Sequence, residues 1–460
     1  MASLGTPEHP LCVAIIGSGP SGFYAADYLQ KQVHLSIKID MFDRLPTPYG
    51  LVRGGVAPDH PKIKSVTAVY EKIANKPNFR FFGHVEFGKD VSLSELQRFY
   101  HAIIFAVGAQ TDKPLGIPGE DLVGSHAATE FVGWYNGHPD YKHLSFDLSQ
   151  ERVAVIGVGN VAMDVTRILA RTQHELDSTD IADYAQVALA KSNVKEIYVF
   201  GRRGAAQAAF TNPEIKELGE MEGADCVIAL DDVTLDEASR AYLASDKAEP
   251  KDTKNIEIMK AYAQRTTHDK PKKIILRFCM SPIEIIGDGQ VQAIKMVKNE
   301  LVLDDKGNVK ARATEQTEVI PVGLVFRSVG YMGVPLPDVP FDNKWGVIPN
   351  DKGRVLQDGQ AMTGTYVVGW IKRGPSGVIG TNKPDSYETA QMLLEDVQAD
   401  KHWQPSDDDI SILLAQRGIQ VVTFEDWKKL DALETQHGSQ QGRPRVKFTD
   451  INAMLNVLKA

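Results

Sequence analysis

Twice along this chain a short apolar run ends in a glycine-rich turn that opens a helix-like stretch. Cys12–Gly17 (CVAIIG) leads into Gly17-Ser18-Gly19-Pro20-Ser21-Gly22, and Arg152–Gly157 (RVAVIG) leads into Gly157-Val158-Gly159-Asn160-Val161-Ala162. A strand buried on both faces requires a continuously apolar run of this kind. In such a turn the first glycine permits the tight bend and the second lets a pyrophosphate approach the backbone. The third position packs helix on strand, where alanine is an accepted variant. The following helix presents free amide donors and a partial positive charge to phosphate. Helical patterns continue through Phe23–Gln32 and Val161–Arg171, and strands return at Ile37–Phe42, Ala102–Val107, Glu196–Gly201, Leu324–Val329 and Tyr366–Gly369. Repeated strand–turn–helix units predict an α/β chain with parallel sheets covered by helices.

The two units finish differently. After the first, Asp43 follows the second strand, where a carboxylate can accept hydrogen bonds from ribose hydroxyls. After the second, Glu196–Gly201 runs into Arg202-Arg203. A carboxylate there would repel the 2′-phosphate of NADP, whereas a planar guanidinium binds it bidentately. One close charge pair at an effective dielectric near 20 is worth roughly 4 kcal/mol before desolvation, enough to separate NADP from NAD. An acid-ended unit suits FAD or NAD, and an arginine-ended one suits NADPH. A chain with both reads as a flavoenzyme reduced by NADPH.

At 460 residues, two or three domains are expected. The apolar share is 43% and the charged share 24%, the balance of a protein with large buried cores. A net charge of −9 weighs against nucleic acid or an anionic membrane as partner. No apolar run reaches the length of a membrane span. The segment Met1 to Pro10 has neither a basic region followed by an apolar stretch nor an arginine-rich composition, so the expected compartment is the cytoplasm. Cys12, Cys226 and Cys279 lie far apart, which excludes a disulfide framework, a four-thiolate zinc site and a chain-borne iron–sulfur cluster; no metal site is expected. Ala248–Asn255 and Asp304–Gly307 read as surface loops or hairpin tips, and the last 60 residues mix helical segments with a basic stretch, Arg443–Lys447.

Further motifs carry a family resemblance. Pro48-Tyr49-Gly50-Leu51-Val52-Arg53 is followed by Gly55-Val56-Ala57-Pro58-Asp59-His60-Pro61. Later come Ala106-Val107-Gly108-Ala109, Ile117-Pro118-Gly119-Glu120, Phe131-Val132-Gly133-Trp134-Tyr135 and Gly201-Arg202-Arg203-Gly204. Ala209-Phe210-Thr211, Gly369-Trp370-Ile371-Lys372-Arg373-Gly374-Pro375 and Gly377-Val378-Ile379-Gly380-Thr381-Asn382 complete the set. With the two glycine turns, they closely resemble the adrenodoxin reductase family over nearly the whole chain, and the bacterial NADPH–ferredoxin reductases of that type in particular. The resemblance implies two Rossmann-like dinucleotide-binding domains, the NADP domain (109–329) inserted into a discontinuous FAD domain (1–108 and 330–460).

It also implies roles for residues. FAD contacts would come from Gly17, Gly19, Pro20, Ser21, Gly22, Asp43, Leu51, Val85, Trp370, Gly377, Val378 and Ile379. NADPH contacts would come from Gly157, Val158, Gly159, Asn160, Val161, Arg202, Arg203 and Glu214, with Gly377. Asp43 stands where the family often has glutamate, which shortens the reach to ribose. His60 and Glu214 would lie near the flavin and relay a proton or orient the nicotinamide. The chain lacks a redox cysteine pair, so the natural acceptor is a separate one-electron carrier; the resemblance points to a ferredoxin. Such a partner is acidic, and Lys62, Lys64, Lys72, Lys76 and Arg80, or Lys216, Lys372, Arg373 and Lys383, are the candidate docking cations. A monomer is the expected state. An NADPH-dependent flavin monooxygenase or oxidase, and a flavin-binding redox sensor, are the alternative readings.

Overall fold

The structure, a computed structural model, describes residues 4–266 and 269–459; Met1 to Ser3 of the amino-terminal segment lie outside the described residues. The chain divides into two compact units, Met1–Thr111 with Tyr331–Ala460, and Asp112–Gly330.

In the first unit the apolar run after Pro10 becomes the strand Leu11–Ile16, paired in parallel with Ile37–Asp43 on one side and Ala102–Phe105 on the other. Seven strands follow the order Asn350–Asp351, Arg354–Gln357, Gln360–Val367, Ala102–Phe105, Leu11–Ile16, Ile37–Asp43, Phe79–Gly83. The last five are parallel; the first two fold back as an antiparallel edge. One core holds Phe23, Tyr49, Tyr70 and Phe79, with Phe23 stacked on Tyr70 at 4.8 Å between ring centres. A second holds Leu96, Phe99, Ile410 and Leu414.

The carboxyl-terminal helices Phe424–Gln440 and Ile451–Lys459 place Phe424, Trp427, Leu430 and Met454 in the first of these cores. There the basic stretch turns inward rather than to solvent: Arg443 and Lys447 are both buried. Glu434 has no exposed surface, yet it accepts from Nη1 and Nη2 of Arg53, from Arg445 Nη1 at 3.1 Å and from Phe448 N at 2.8 Å. Arg53 in turn lies over the Trp427 ring. Burial pushes the Glu434 carboxyl upward, but Arg53 and Arg445 outweigh it and hold it below its ordinary value.

The second unit is built on six parallel strands in the order Ser125–Ala127, Leu324–Arg327, Arg152–Ile156, Glu196–Phe200, Lys272–Arg277, Ala224–Ile228. Beside it Met280–Asp288, Gln290–Leu303 and Val309–Pro321 form an antiparallel sheet, with Asp304–Gly307 at a hairpin tip as the sequence suggests. Ala248–Asn255 corrects the sequence reading. Pro250 opens a 14-residue helix, Pro250–Ala263, in which Asp252 and Asn255 are buried. Pro is well suited to a first helical turn, and Glu249 and Asp252 cap one another, so residues that read as a loop are a helix start.

The Glu434 cluster generates a test. Glu434→Ala leaves Arg53 buried without its carboxylate and is expected to cost about 3–5 kcal/mol of stability in urea unfolding. Because the folded-state pKa is depressed, this contribution is complete above about pH 4.3 and fades as the pH falls through the folded value. The gap between wild type and variant should therefore narrow on acidification.

Candidate dinucleotide-binding sites

Both glycine turns leave the carboxyl end of the strand where the sheet order reverses, which is where open α/β sheets bind ligands. In the first unit Ala106 N donates to Ile16 O at 2.7 Å and Gly17 N to Phe42 O at 2.8 Å, drawing both neighbouring strand exits against the turn. Gly17 has φ +106°, and a Cβ there would lie 2.5 Å from Ala106 O; one on Gly22 would lie 2.4 Å from Gly17 O. The protein itself demands these two glycines. Gly19 is different: its φ of −77° suits any residue, and a Cβ would meet nothing within 4 Å. Its bareness serves the space in front of the turn, which fits the close approach of a pyrophosphate. Pro20 starts the helix Pro20–Gln30, where its missing N–H costs nothing.

Asp43 binds the turn directly. Its Oδ2 accepts from Ser18 N at 3.0 Å and from the Ser18 hydroxyl, and its Oδ1 from Leu45 N at 2.9 Å. Burial pushes this carboxyl upward, against the hydrogen bonds that favour its charge. With both lone pairs of Oδ2 engaged and one on Oδ1, Oδ1 keeps acceptor capacity for a further donor. Val85 N donates to Asp43 O at 2.9 Å, and Tyr49 N to Ser18 O at 3.0 Å, which sets Leu51 at the start of the short helix Leu51–Gly54 beside the turn. From the far end of the sequence, Asn382 Oδ1 accepts from Ser21 Oγ at 3.1 Å, and a Cβ on Gly369 would lie 2.1 Å from the same hydroxyl. Trp370 follows, half-buried, with Nε1 donating to Ser376 O at 3.2 Å. Gly377 has φ +79°, Val378 is exposed, and Ile379 begins a short helical turn before the helix Asn382–Gln398. His60 is half-buried at the start of the helix Pro61–Lys64.

The second unit repeats the construction. Gly157 N donates to Phe200 O at 2.9 Å and Ser328 N to Ile156 O at 2.8 Å. Gly157 has φ +132°, and its Cβ would lie 2.1 Å from Ser328 O, while one on Gly159 would meet nothing. Val158 O accepts from Ala209 N at 2.9 Å and Phe210 N at 3.1 Å, Asn160 Oδ1 accepts from Thr211 N at 3.0 Å, and Val161 packs against the core. At the end of Glu196–Phe200, Arg202 is exposed and Arg203 half-buried. Among the described residues neither guanidinium has a carboxylate partner. Burial, and then the like charge of Arg202, pull the Arg203 pKa down. Two adjacent cations held without a protein counterion favour an anion.

Glu214 lies in the helix Asn212–Leu218, buried and paired with Arg167 Nη1. Arg167 is the residue that the sequence reading missed. It has no exposed surface and also pairs with Asp164 at 2.6 Å and Glu217 at 3.5 Å. The signal was present: Val161, Ala162, Met163, Val165, Ile168, Leu169 and Ala170 make this helix apolar over most of its length, so a cation in it has to find acids. His60 and Glu214 belong to different units.

Several candidate docking cations are engaged elsewhere, which corrects the sequence reading. Arg80 pairs with Asp40 at 2.6 Å and Asp409 at 2.7 Å. Lys372 is buried against Asp385 at 3.1 Å and Glu388 at 2.8 Å. Arg373 is tied to Asn382 at 2.8 Å, whereas Lys383, over the Tyr387 ring, stays exposed. Lys62, Lys72 and Lys76 remain exposed.

Comparison with known proteins agrees with this geometry. The pyridine nucleotide-disulphide oxidoreductase family profile matches residues 12–201. NADPH-ferredoxin reductase FprA of Mycobacterium leprae is 46% identical over 459 residues, spanning 98% of this chain and 99% of that protein. The mitochondrial NADPH:adrenodoxin oxidoreductase of Salvelinus fontinalis is 38% identical over 477 residues, spanning 100% and 93%. The chain belongs to the adrenodoxin reductase family. The solved structure of Mycobacterium tuberculosis FprA in complex with NADPH superposes with a TM-score of 0.93 at 44% identity, covering 98% of this chain and all of that one.

In this adrenodoxin reductase family member, Gly19→Ala and Gly159→Ala should leave the melting temperature of the ligand-free protein unchanged, because the added methyl meets no protein atom. Each should weaken retention of its own unit's dinucleotide roughly tenfold, since overpacking by one methyl costs on the order of 1–3 kcal/mol. Thermal melting of the ligand-free variants checks the first half of this expectation, and equilibrium dialysis checks the second.

Proposed function

We propose that the first unit holds FAD, that the second takes NADPH, and that the chain moves electrons from NADPH through FAD to a ferredoxin-type iron–sulfur protein. The observation that carries this reading is the pair of uncompensated guanidinium groups of Arg202 and Arg203 at the second site, against the carboxylate of Asp43 at the first. The names of the relatives support it. FAD, when bound, supplies a carrier that takes up a hydride and gives up electrons one at a time.

In this proposal Gly17, Gly19, Pro20, Ser21 and Gly22 cradle the FAD pyrophosphate and Asp43 its ribose. Leu51, Val85, Trp370, Gly377, Val378 and Ile379 line the rest of that ligand. Gly157 to Val161 cradle NADPH, and Arg202 and Arg203 take its 2′-phosphate. Arg167 compensates the Glu214 carboxylate and fixes its direction. Hydride transfer depends mostly on alignment, so His60 and Glu214 orient the nicotinamide and handle the accompanying proton without being indispensable to the chemical step.

The cysteines argue for an external acceptor. All three are free; burial pushes Cys226 up to about 12 and Cys279 up to about 11, so neither offers a thiolate near neutral pH. Free thiols also suit a reducing compartment, so we place the activity in the cytoplasm. On the first unit Lys62, Lys72 and Lys76 stand near in sequence to the exposed apolar residues Leu51, Ile63 and Val69. Exposed cations interspersed with exposed apolar residues suit an acidic electron carrier.

The test is the double variant Arg202→Ala/Arg203→Ala. Two charge-assisted hydrogen-bonding groups are lost, so kcat/KM for NADPH should fall about 100-fold or more while that for NADH stays near wild type. An unchanged preference between the two reductants would sink the assignment.

A further inference from the structure

The arginine loop is held from behind by the rest of its own unit. Three successive carbonyls, those of Gly201, Arg202 and Arg203, each accept a hydrogen bond from the entry to the antiparallel sheet or from the sheet itself. Met280 N donates to Gly201 O at 3.0 Å, and Cys279 N to Arg203 O at 3.0 Å. The middle carbonyl, Arg202 O, is taken by a side chain: Asn299 Nδ2 donates to it at 2.8 Å. The same nitrogen donates to Ser281 Oγ at 2.8 Å, so both amide protons are used. Asn299 N donates to Cys279 O at 2.7 Å, closing the link between strand and turn.

Two local irregularities make this possible. The pairing of Gln290–Leu303 with Val309–Pro321 shifts register between Val297 and Asn299, a device that re-aims a side chain. Cys279 has φ +54°, a left-handed conformation uncommon for a residue other than glycine, and this turns its N–H and C=O to the two partners named above. Asn299 is 5% exposed, so its amide has no compensating water shell and a fixed direction.

The consequence concerns the charges. Arg202 and Arg203 repel one another, and among the described residues neither has a carboxylate to hold it. Rotation of the peptide between them would relieve that repulsion by swinging one guanidinium away. The bond from Asn299 to Arg202 O restrains that peptide. We infer that Asn299 is a positioning residue for nucleotide specificity. By restraining the arginine loop it keeps both guanidinium groups available to one 2′-phosphate, and so favours the phosphorylated dinucleotide over the unphosphorylated one. This rests on the NADPH reading given above.

The experiment uses the FAD-loaded full chain carrying Asn299→Ala, Asn299→Ser or Asn299→Asp, the last being alike in shape but without the donor. Steady-state kinetics with NADPH and NADH is combined with calorimetric binding of 2′,5′-ADP and thermal melting. The loss of one buried hydrogen bond predicts that KM for NADPH and Kd for 2′,5′-ADP rise about five- to tenfold in the Ala and Asp variants. The kcat with NADPH and both constants with NADH should hold, and Ser should recover part of the loss. In the Arg202→Ala/Arg203→Ala background, Asn299→Ala should change nothing further. Equal losses with both reductants, or wild-type affinity for 2′,5′-ADP in the Asp variant, would overturn the inference. An arginine double variant with unaltered preference would instead overturn the NADPH reading, so the two failures are distinguishable.

Discussion

Two carbonyl oxygens decide the architecture. Ala106 O and Ser328 O crowd the positions where Gly17 and Gly157 would carry a Cβ, because the strand on the far side of each switch point bonds back to the end of the central strand. That close approach forces the chain through a left-handed glycine and aims the next helix N-terminus outward. Several other elements of the two sites are placed against this turn: Asp43 through Ser18, Tyr49 through Ser18 O, Asn382 through Ser21, and Phe210 and Thr211 through Val158 and Asn160.

On this shared scaffold, a few charges make the difference between the sites. Asp43 spends its carboxylate on the turn and keeps acceptor capacity in reserve, whereas Arg202 and Arg203 have no carboxylate partner among the described residues. Elsewhere the protein compensates its buried ions. Arg167 has Asp164, Glu214 and Glu217, and Glu434 has Arg53 and Arg445. Against that background two unpaired guanidinium groups side by side stand out as a site for an anion. The same contrast separates them from Arg80 and Lys372, whose charges are consumed inside the first unit.

Strands, glycine turns and the helices after them were legible because each is encoded within about 30 residues of chain: an apolar run, a small-residue turn, then a helix. The charge that closes each unit was legible because it directly ends or follows a strand, Asp43 after Ile37–Phe42 and Arg202-Arg203 after Glu196–Gly201. Long-range ion pairs were not. Nothing near Arg53 announces Glu434, and nothing near Arg80 announces Asp409, so exposed and buried cations looked alike until packing was known. Pro250–Ala263 was missed because its apolar contacts, Ile256, Met259 and Tyr262, come late, after a first turn of proline and charges. Asn299 carried no local signal at all; its importance comes from a register shift that only the paired strands define.

The chain takes electrons from a phosphorylated nicotinamide dinucleotide onto a flavin and hands them to a separate carrier. Anaerobic titration of the purified protein reads all three steps in one cuvette. Stoichiometric NADPH should bleach the flavin absorbance, NADH at the same concentration should do so far more slowly, and oxidised ferredoxin added afterwards should restore the colour as two equivalents are reduced. A colourless protein, equal bleaching by both reductants, or colour that returns only with oxygen and never with ferredoxin would rule out an NADPH-driven flavin route to ferredoxin.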